Sequence, residues 1–186
     1  NRLHIMIASN SDWVVPAGPH ERRYFVLHVS DAKMQDKAYF AALDRQIYEE
    51  GGLEAMLYDL QRRDLSAFDI RTVPRTAALD QQVINSLTSL ETWWLDHLGA
   101  TLPDWQYQSR RALVDDCAHK CSNPSQRSME TRLGAFLKKV IPGGVKKVTH
   151  TPAGVTRAVE CYEFPPQAVC RQAFQKHLGI QHNPWA

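Results

Sequence analysis

The chain has 186 residues, of which 44% are hydrophobic and 23% are charged, and its formal net charge is +2. This length is enough for one domain or two small ones with modest hydrophobic cores. The longest apolar run is far shorter than the roughly 20 residues that a membrane-spanning helix needs, and no signal peptide opens the chain. We therefore expect a cytoplasmic globular protein with no membrane partner and with its four cysteines reduced.

Two apolar runs lie near the N-terminus, at residues 3–8 and 24–29. Their almost continuous apolar character is typical of parallel strands that are covered on both faces. Asn10 follows the first run, and Arg22 and Arg23 precede the second. Side chains at strand ends supply ligand contacts in such sheets, and an amide beside two guanidinium groups suits an anion such as phosphate. The alternative is a buried sheet with a capping Asn and two solvated arginines.

The first part of the chain also carries six short motifs in a fixed order. They are Ala8-Ser9-Asn10, Trp13-x-x-Pro16, Glu21-Arg22-Arg23, Gly51-Gly52-Leu53-Glu54-Ala55-Met56-Leu57, Arg63-Asp64-Leu65-Ser66 and Val73-Pro74-Arg75-Thr76-Ala77. In this order they resemble the second half of a superfamily 3 helicase ATPase core, in the version fused to phage and plasmid primases. The resemblance covers residues 1–80 and, less distinctly, the rest of the chain.

The resemblance implies roles for three residues. Asn10 would be the sensor that helps to position the attacking water near the γ-phosphate of ATP. Arg22 or Arg23 would be the finger that reaches the nucleotide of a neighbouring subunit. The resemblance also implies ATP and Mg as cofactors of the full-length parent, DNA as a partner, and identical subunits in a ring. Such a protein would be encoded by a phage or plasmid and would act in the cytoplasm of a bacterial host.

One element of the helicase core is missing from the sequence. A phosphate-cradling loop of the form G-x-x-x-x-G-K-[ST] surrounds the phosphates with backbone amides and a Lys, but no Gly-Lys dipeptide occurs in the 186 residues. No apolar strand ends in the paired acidic residues that would hold the metal. We therefore interpret the chain as a C-terminal piece of a larger protein, and we expect it to bind no cofactor alone.

Helical periodicity dominates residues 31–98. Apolar stripes predict helices over residues 38–48 and 53–60 in a helical lid, followed by an extended connection at 68–76. Residues 79–98 predict one or two further helices that end near Gly99. We place the domain boundary there, with residues 1–99 completing the ATPase core and residues 100–186 forming a second domain.

Adjacent tryptophans, Trp93 and Trp94, lie in the last of these helices. Neighbouring residues on a helix point about 100° apart, so we expect one ring to face the core and the other the following domain. Burial at a domain junction is one use of such residues. A platform on which single-stranded bases stack is the alternative.

The sequence pattern of the second domain predicts a winged helix. The expected fold class of the chain is therefore α+β. Ser109 can cap a first helix, Ser128 begins a second, and residues 145–151 and 157–164 can pair around Pro152-Ala153-Gly154. A last amphipathic helix covers residues 167–178 and ends at Gly179. Two helices across a short turn, followed by a hairpin, are the outline of a DNA-binding helix-turn-helix with a wing, although many such domains bind only protein.

Basic charge is concentrated in the same region. Residues 106–186 contain 12 Lys and Arg against 5 Asp and Glu, whereas residues 1–105 contain 10 against 15. A local basic excess favours a polyanionic partner through counterion release. The predicted DNA-binding residues are Arg132, Lys138, Lys139, Lys146, Lys147 and Arg157.

Cys117, His119 and Cys121 are close enough in sequence to suggest a zinc site. Residues two apart on a helix point to different sides, however, and no second ligand pair has the usual spacing. We therefore expect no metal. Two functions remain open: a C-terminal part of an ATP-driven DNA helicase and primase, or a nucleic-acid-binding or protein-assembly module without catalysis.

Overall fold

The computed structural model describes residues 5–69, 71–102, 104–122, 126–151 and 156–185. It divides into two compact units, one formed by Asn1–Phe25 with Arg75–Ala186 and the other by Val26–Pro74. The boundary expected near residue 99 lies inside the first unit. The structure is a mixed helix and sheet fold, in agreement with the expected α+β class.

The Val26–Pro74 unit is a pair of helices. Helix α1 (Lys37–Tyr48) begins where the Asp36 carboxylate accepts a hydrogen bond from the Tyr39 backbone, and α2 (Gly52–Arg62) follows at once. Gly51 takes a φ of +77°, and a Cβ at Gly52 would lie 2.5 Å from the Gln46 carbonyl oxygen. Glycine is therefore required at both positions of this turn. Both helices confirm the sequence prediction.

Both helices leave their apolar side chains exposed. Within the described part of this unit, neither α1 nor α2 buries a residue. The large exposed apolar side chains are Leu27, Val29, Met34, Tyr39, Phe40, Tyr48, Leu53, Met56, Leu57, Tyr58, Leu60, Leu65 and Phe68. An apolar surface of this extent is typical of a protein contact site.

The two predicted N-terminal strands are absent from the described residues. In the described residues 5–8 and 24–29 the backbone forms no strand and most side chains are exposed; residues 3 and 4 lie outside the described part. A strand is defined by a partner that accepts and donates its backbone hydrogen bonds. Neither run is assigned to a strand in the described residues, so apolar composition alone does not make a strand here.

The segment between these runs is instead held against helix α3 (Ala77–Asn85). The buried Gln82 side chain accepts a hydrogen bond from the Val14 amide at 2.7 Å and donates one to the Asp12 carbonyl at 2.7 Å. The Ser86 hydroxyl oxygen accepts from the Trp13 indole at 2.9 Å. Side chains of α3 and of its C-terminal cap Ser86 thus hold the loop that lies between the two predicted strands.

Helix α4 (Ser89–Gly99) follows α3, so the region expected to hold one or two helices contains two. A capping box joins Thr88 and Glu91 at its start, which fixes where the helix begins. The remaining elements are β1 (Tyr107–Ser109), α5 (Arg110–Lys120), α6 (Gln126–Val140), β2 (Lys146–His150), β3 (Val159–Glu163) and α7 (Gln167–Leu178).

The three strands form one antiparallel sheet in the order β1-β3-β2. Cys161 in the central strand pairs with Ser109 on one side and Val148 on the other. The predicted helices α5, α6 and α7 and the predicted pairing of the two hairpin strands are confirmed. Strand β1 was not predicted, and the expected turn at Pro152-Ala153-Gly154 lies outside the described residues.

Trp94 lies at the centre of the core of this unit. Its ring centroid is 5.9 Å from that of Phe164 beside the sheet, 6.5 Å from that of Phe136 on α6 and 6.2 Å from that of Trp105. Its neighbour Trp93 is also buried. These aromatic contacts join α4, the sheet and α6 in one core, with several rings at separations typical of favourable aromatic pairs.

A buried carboxylate fastens the C-terminal segment to α3. Asp80 accepts hydrogen bonds from the Arg75 guanidinium at 2.7 Å, from the Gln181 amide at 2.8 Å and from the His182 amide and ring at 3.0 and 2.7 Å. Burial raises the pKa of Asp80, but the hydrogen bonds from His182, Arg75 and Gln181 outweigh it and hold the pKa below its ordinary value of 3.8.

We expect Asp80→Asn to destabilise the first unit by about 3 kcal/mol, because the amide cannot accept from all of these donors and leaves some unpaired. Asp96→Asn, on the exposed side of α4, is the matched control and should change stability by less than about 0.5 kcal/mol. Thermal unfolding measures both. Because the folded pKa is depressed, the stabilisation by Asp80 is present above pH 3.8 and is lost as pH falls below it. Equal unfolding temperatures for the two variants would contradict this role.

Candidate nucleic-acid interface

An open groove of about 670 Å³ runs between α6 and the start of β2. Arg127, Thr131 and Lys138 line one wall from α6, and Lys147 lines the other from β2. Tyr162 of β3 also borders the groove. The groove therefore collects cations and hydroxyl groups from elements that are distant in sequence.

The periodicity of α6 explains why these side chains face outward. Its buried residues, Met129, Leu133, Leu137 and Val140, follow the spacing of one helix face. Arg127, Thr131 and Lys138 are spaced by four and seven residues, so they share the opposite face. Gly134 and Ala135 lie between them and are small. The middle of the groove wall is therefore open, with a cation near each end.

Two consecutive glycines shape the end of the groove. Gly143 and Gly144 have φ values of +74° and +73°, a backbone region that disfavours other residues. The Gly144 amide donates to the Ile141 carbonyl at 2.9 Å and closes the turn after α6. This turn leads directly into β2, on which Lys147 lines the groove opposite α6.

Tyr162 contributes a protonated hydroxyl. Tyr162 of β3 pairs with Lys147 of β2, and a Cβ at Gly134 would lie 3.8 Å from the Tyr162 hydroxyl oxygen. Burial raises the pKa of Tyr162, against the opposing effect of the Arg110 charge. The hydroxyl can therefore donate a hydrogen bond to an anion in the groove near neutral pH.

The structure brings together only some of the predicted DNA-binding residues. Lys138 and Lys147 lie in the groove, whereas Arg132 and Lys139 are exposed elsewhere on α6 and do not line it. Lys146 is exposed and, as the neighbour of Lys147 on a strand, points to the opposite face of the sheet.

Arg157 is exposed just before β3 and is not among the groove residues. Arg127, which the sequence prediction did not include, is in the groove. Its position eleven residues before Lys138, about three helical turns, was a signal that could have identified it.

Trp93 and Trp94 do not form a base-stacking platform, because both are almost completely buried. The expectation that they serve different domains is also corrected. The Trp93 indole donates to the Asp116 carboxylate at 2.7 Å, and Trp94 packs against Trp105 and Phe164 in the same core. Elements later in the chain enclose both sides of α4, which the spacing of the pair on one helix did not reveal.

The residues expected to act on ATP are all exposed. Asn10 lies in a bend, and the Glu21 carboxylate accepts hydrogen bonds from the Arg22 and Arg23 amides at 2.9 and 2.8 Å. The Arg23 guanidinium lies 3.9 Å from the Glu21 carboxylate and is 82% exposed. The Glu21 side chain therefore fixes the backbone of the arginine pair and leaves both guanidinium groups at the surface.

The described residues contain no group of three or more His, Cys, Asp or Glu side chains that could hold a metal ion. Cys117 and Cys121 do approach each other, with their sulfurs 3.8 Å apart, while His119 is exposed. All four cysteines are free. Within the described ranges, no helix has the length and apolar character needed to cross a membrane.

Comparison with known proteins adds no relative. No family model matches the sequence, and neither a curated protein nor a solved structure matches it. Inference about function therefore depends on the groove and on the exposed residues described above.

The four thiols should differ in reactivity. Burial and the neighbouring Cys121 thiol raise the pKa of Cys117 to about 12, and burial raises that of Cys170 to about 11. Cys121 is only half-buried. We expect iodoacetamide at pH 8 to modify Cys121 first and the other three only after unfolding, because the thiolate is the reactive form. Peptide mass spectrometry measures this, and modification of Cys117 as fast as Cys121 would contradict its burial.

Proposed function

We propose that residues 100–186 form a winged helix that binds DNA, within an ATP-driven helicase of the phage and plasmid primase type. The order of elements within this range, β1, α5, α6, β2 and β3, with the sheet order β1-β3-β2, supports this assignment. In such a domain α6 is the recognition helix and the β2–β3 hairpin is the wing.

The groove cations are the observation that carries the proposal. Arg127 and Lys138 from α6 face Lys147 from β2 across an open groove. Cations arranged along a groove bind the phosphate backbone and release its counterions. This matches the basic excess of residues 106–186, where 12 Lys and Arg oppose 5 Asp and Glu.

The groove residues favour binding without strong sequence preference. Base edges are read by side chains that can form paired hydrogen bonds, such as Asn, Gln and Arg. Among the described residues that line the groove, Arg127 is the one of these three types, and Gly134 and Ala135, in the middle of the groove wall, have no such groups. Contacts from lysines and backbone amides go mainly to phosphates, which position the protein without reading bases.

We expect the chain to bind forked, duplex and single-stranded DNA with an affinity that falls steeply with salt. Lys138→Ala with Lys147→Ala should weaken duplex binding and lower the magnitude of the salt slope by about 0.9 for each phosphate that is no longer neutralised. Lys120→Ala with Lys176→Ala removes two exposed cations outside the groove and is the matched control. Fluorescence anisotropy at two ionic strengths, with two unrelated sequences, measures both effects. Equal losses in the two variants would contradict the assignment of the groove.

The helicase part of the proposal assigns Asn10 as sensor and Arg22 or Arg23 as a finger acting on the next subunit. The donor set of this chain does not by itself fit ATP and Mg, because the sequence contains no phosphate-cradling loop. The exposed guanidinium groups suit a contact with another subunit. Arg22 is the better candidate, since Arg23 already lies within 4 Å of Glu21.

In a longer protein that supplies the phosphate-binding half, we expect Arg22→Ala to reduce ATP turnover on the order of 10³-fold, the scale of other arginine fingers. Mixing it with Asn10→Ala subunits should restore part of the activity if the finger acts between subunits. Arg2→Ala, which removes a positive charge close by in sequence, is the control. Turnover that is unchanged by Arg22→Ala and Arg23→Ala together would contradict this role.

The alternative, a protein-assembly module, is favoured by one observation. The exposed apolar side chains of α1 and α2 form a surface that suits another protein rather than DNA. The two functions separate in the anisotropy experiment, because an assembly module would show no DNA binding even at low salt.

A further inference from the structure

Arg110 joins three elements at the edge of the groove. It is the first residue of α5, and its guanidinium bonds the Glu130 carboxylate on α6 and, at 2.6 Å, the Glu160 carboxylate on β3. The side chain of Arg110 is 23% exposed, whereas that of Glu160 is 75% exposed. Arg110 is therefore held in place by two carboxylates and is partly shielded from solvent.

Glu130 also lines the groove. Among the described residues that border the groove, it is the acidic one, and it lies on α6 three residues after Arg127. A carboxylate at this spacing can pair with the arginine one turn before it. In the structure the Glu130 carboxylate is instead bonded to Arg110, outside the row of groove cations.

We propose that Arg110 is a positioning residue of the DNA-binding groove, which holds the Glu130 carboxylate away from the groove cations. This inference rests on the proposed DNA binding. Arg110 borders a neighbouring surface and does not line the groove itself, so it acts through Glu130. Without Arg110, the Glu130 carboxylate pairs with Arg127 and repels phosphate, which lowers the affinity for DNA.

Simple loss of positive charge predicts a different result. Arg111 is the next residue on α5, its side chain is 90% exposed, and its guanidinium lies 3.8 Å from the Asp115 carboxylate. Removal of Arg110 or Arg111 changes the net charge equally. A larger effect at Arg110, and one that depends on Glu130, therefore reports the contact between Arg110 and Glu130.

The test measures binding of a duplex DNA to the full chain by fluorescence anisotropy at low salt. We expect Arg110→Ala to bind roughly tenfold more weakly than wild type, which is the scale of removing one charge pair. Arg111→Ala should stay within about threefold of wild type. Glu130→Gln removes a negative charge from the groove and should bind at least as tightly as wild type. The double variant Arg110→Ala with Glu130→Gln should also return to within about threefold.

Arg110→Lys covers the possibility that Arg110→Ala fails to fold. The substituted side chain keeps the positive charge but has no planar group that can bond two carboxylates. We expect the Arg110→Lys variant to bind DNA more weakly than wild type, and we expect Glu130→Gln to restore its affinity. Circular dichroism verifies folding of each variant.

Two results would overturn the inference while leaving the proposed function intact. They are equal affinities for Arg110→Ala and Arg111→Ala, and a double variant with Glu130→Gln that binds as weakly as Arg110→Ala alone. Absence of DNA binding by the wild-type chain would overturn the proposed function and this inference together.

Discussion

Burial of two adjacent tryptophans on one helix is the constraint on which the first unit depends. Rings that leave α4 about 100° apart need apolar cover on two sides. Phe164, which follows β3, and Phe136 of α6 cover Trp94, and Asp116 of α5 accepts the hydrogen bond from Trp93. The same contacts fix α6 beside the sheet. The groove between α6 and β2 is therefore a consequence of how the core encloses α4.

The position of α6 in the core determines where its charged side chains lie on the surface. The buried stripe through Met129, Leu133 and Leu137 leaves Arg127 and Lys138 on the outer face, opposite Lys147 of β2. The contact between Arg110 and Glu130 then decides how many of these cations are available to a phosphate. In contrast, the Val26–Pro74 unit exposes apolar side chains along α1 and α2. The two units therefore suit different partners, one polyanionic and one apolar.

The sequence predicted those helices and strands that are marked by caps, glycines and short-range apolar periodicity. Helix α5 begins at its Ser109 cap, α7 ends at Gly179 with a φ of +67°, and the two hairpin strands pair as expected. Strand β1 has only three residues and is defined by its pairing with β3, which is distant in sequence, so no local pattern reveals it. The strands predicted from the apolar runs at residues 5–8 and 24–29 do not form in the described residues. Strand-like composition is a local signal, whereas a strand also needs pairing with another segment. The sequence alone did not reveal the groove, because Arg127 and Lys147 lie on separate elements that only the folded structure brings together.

Hydrogen exchange with and without DNA locates the DNA-binding surface, because it reports which backbone segments a bound nucleic acid protects. We expect a duplex added at low salt to slow exchange at the end of α6, at the Gly143-Gly144 turn and along β2, and to leave exchange in α1 and α2 unchanged. Protection confined to α1 and α2, or no protection anywhere in a chain that binds DNA by anisotropy, would contradict this expectation.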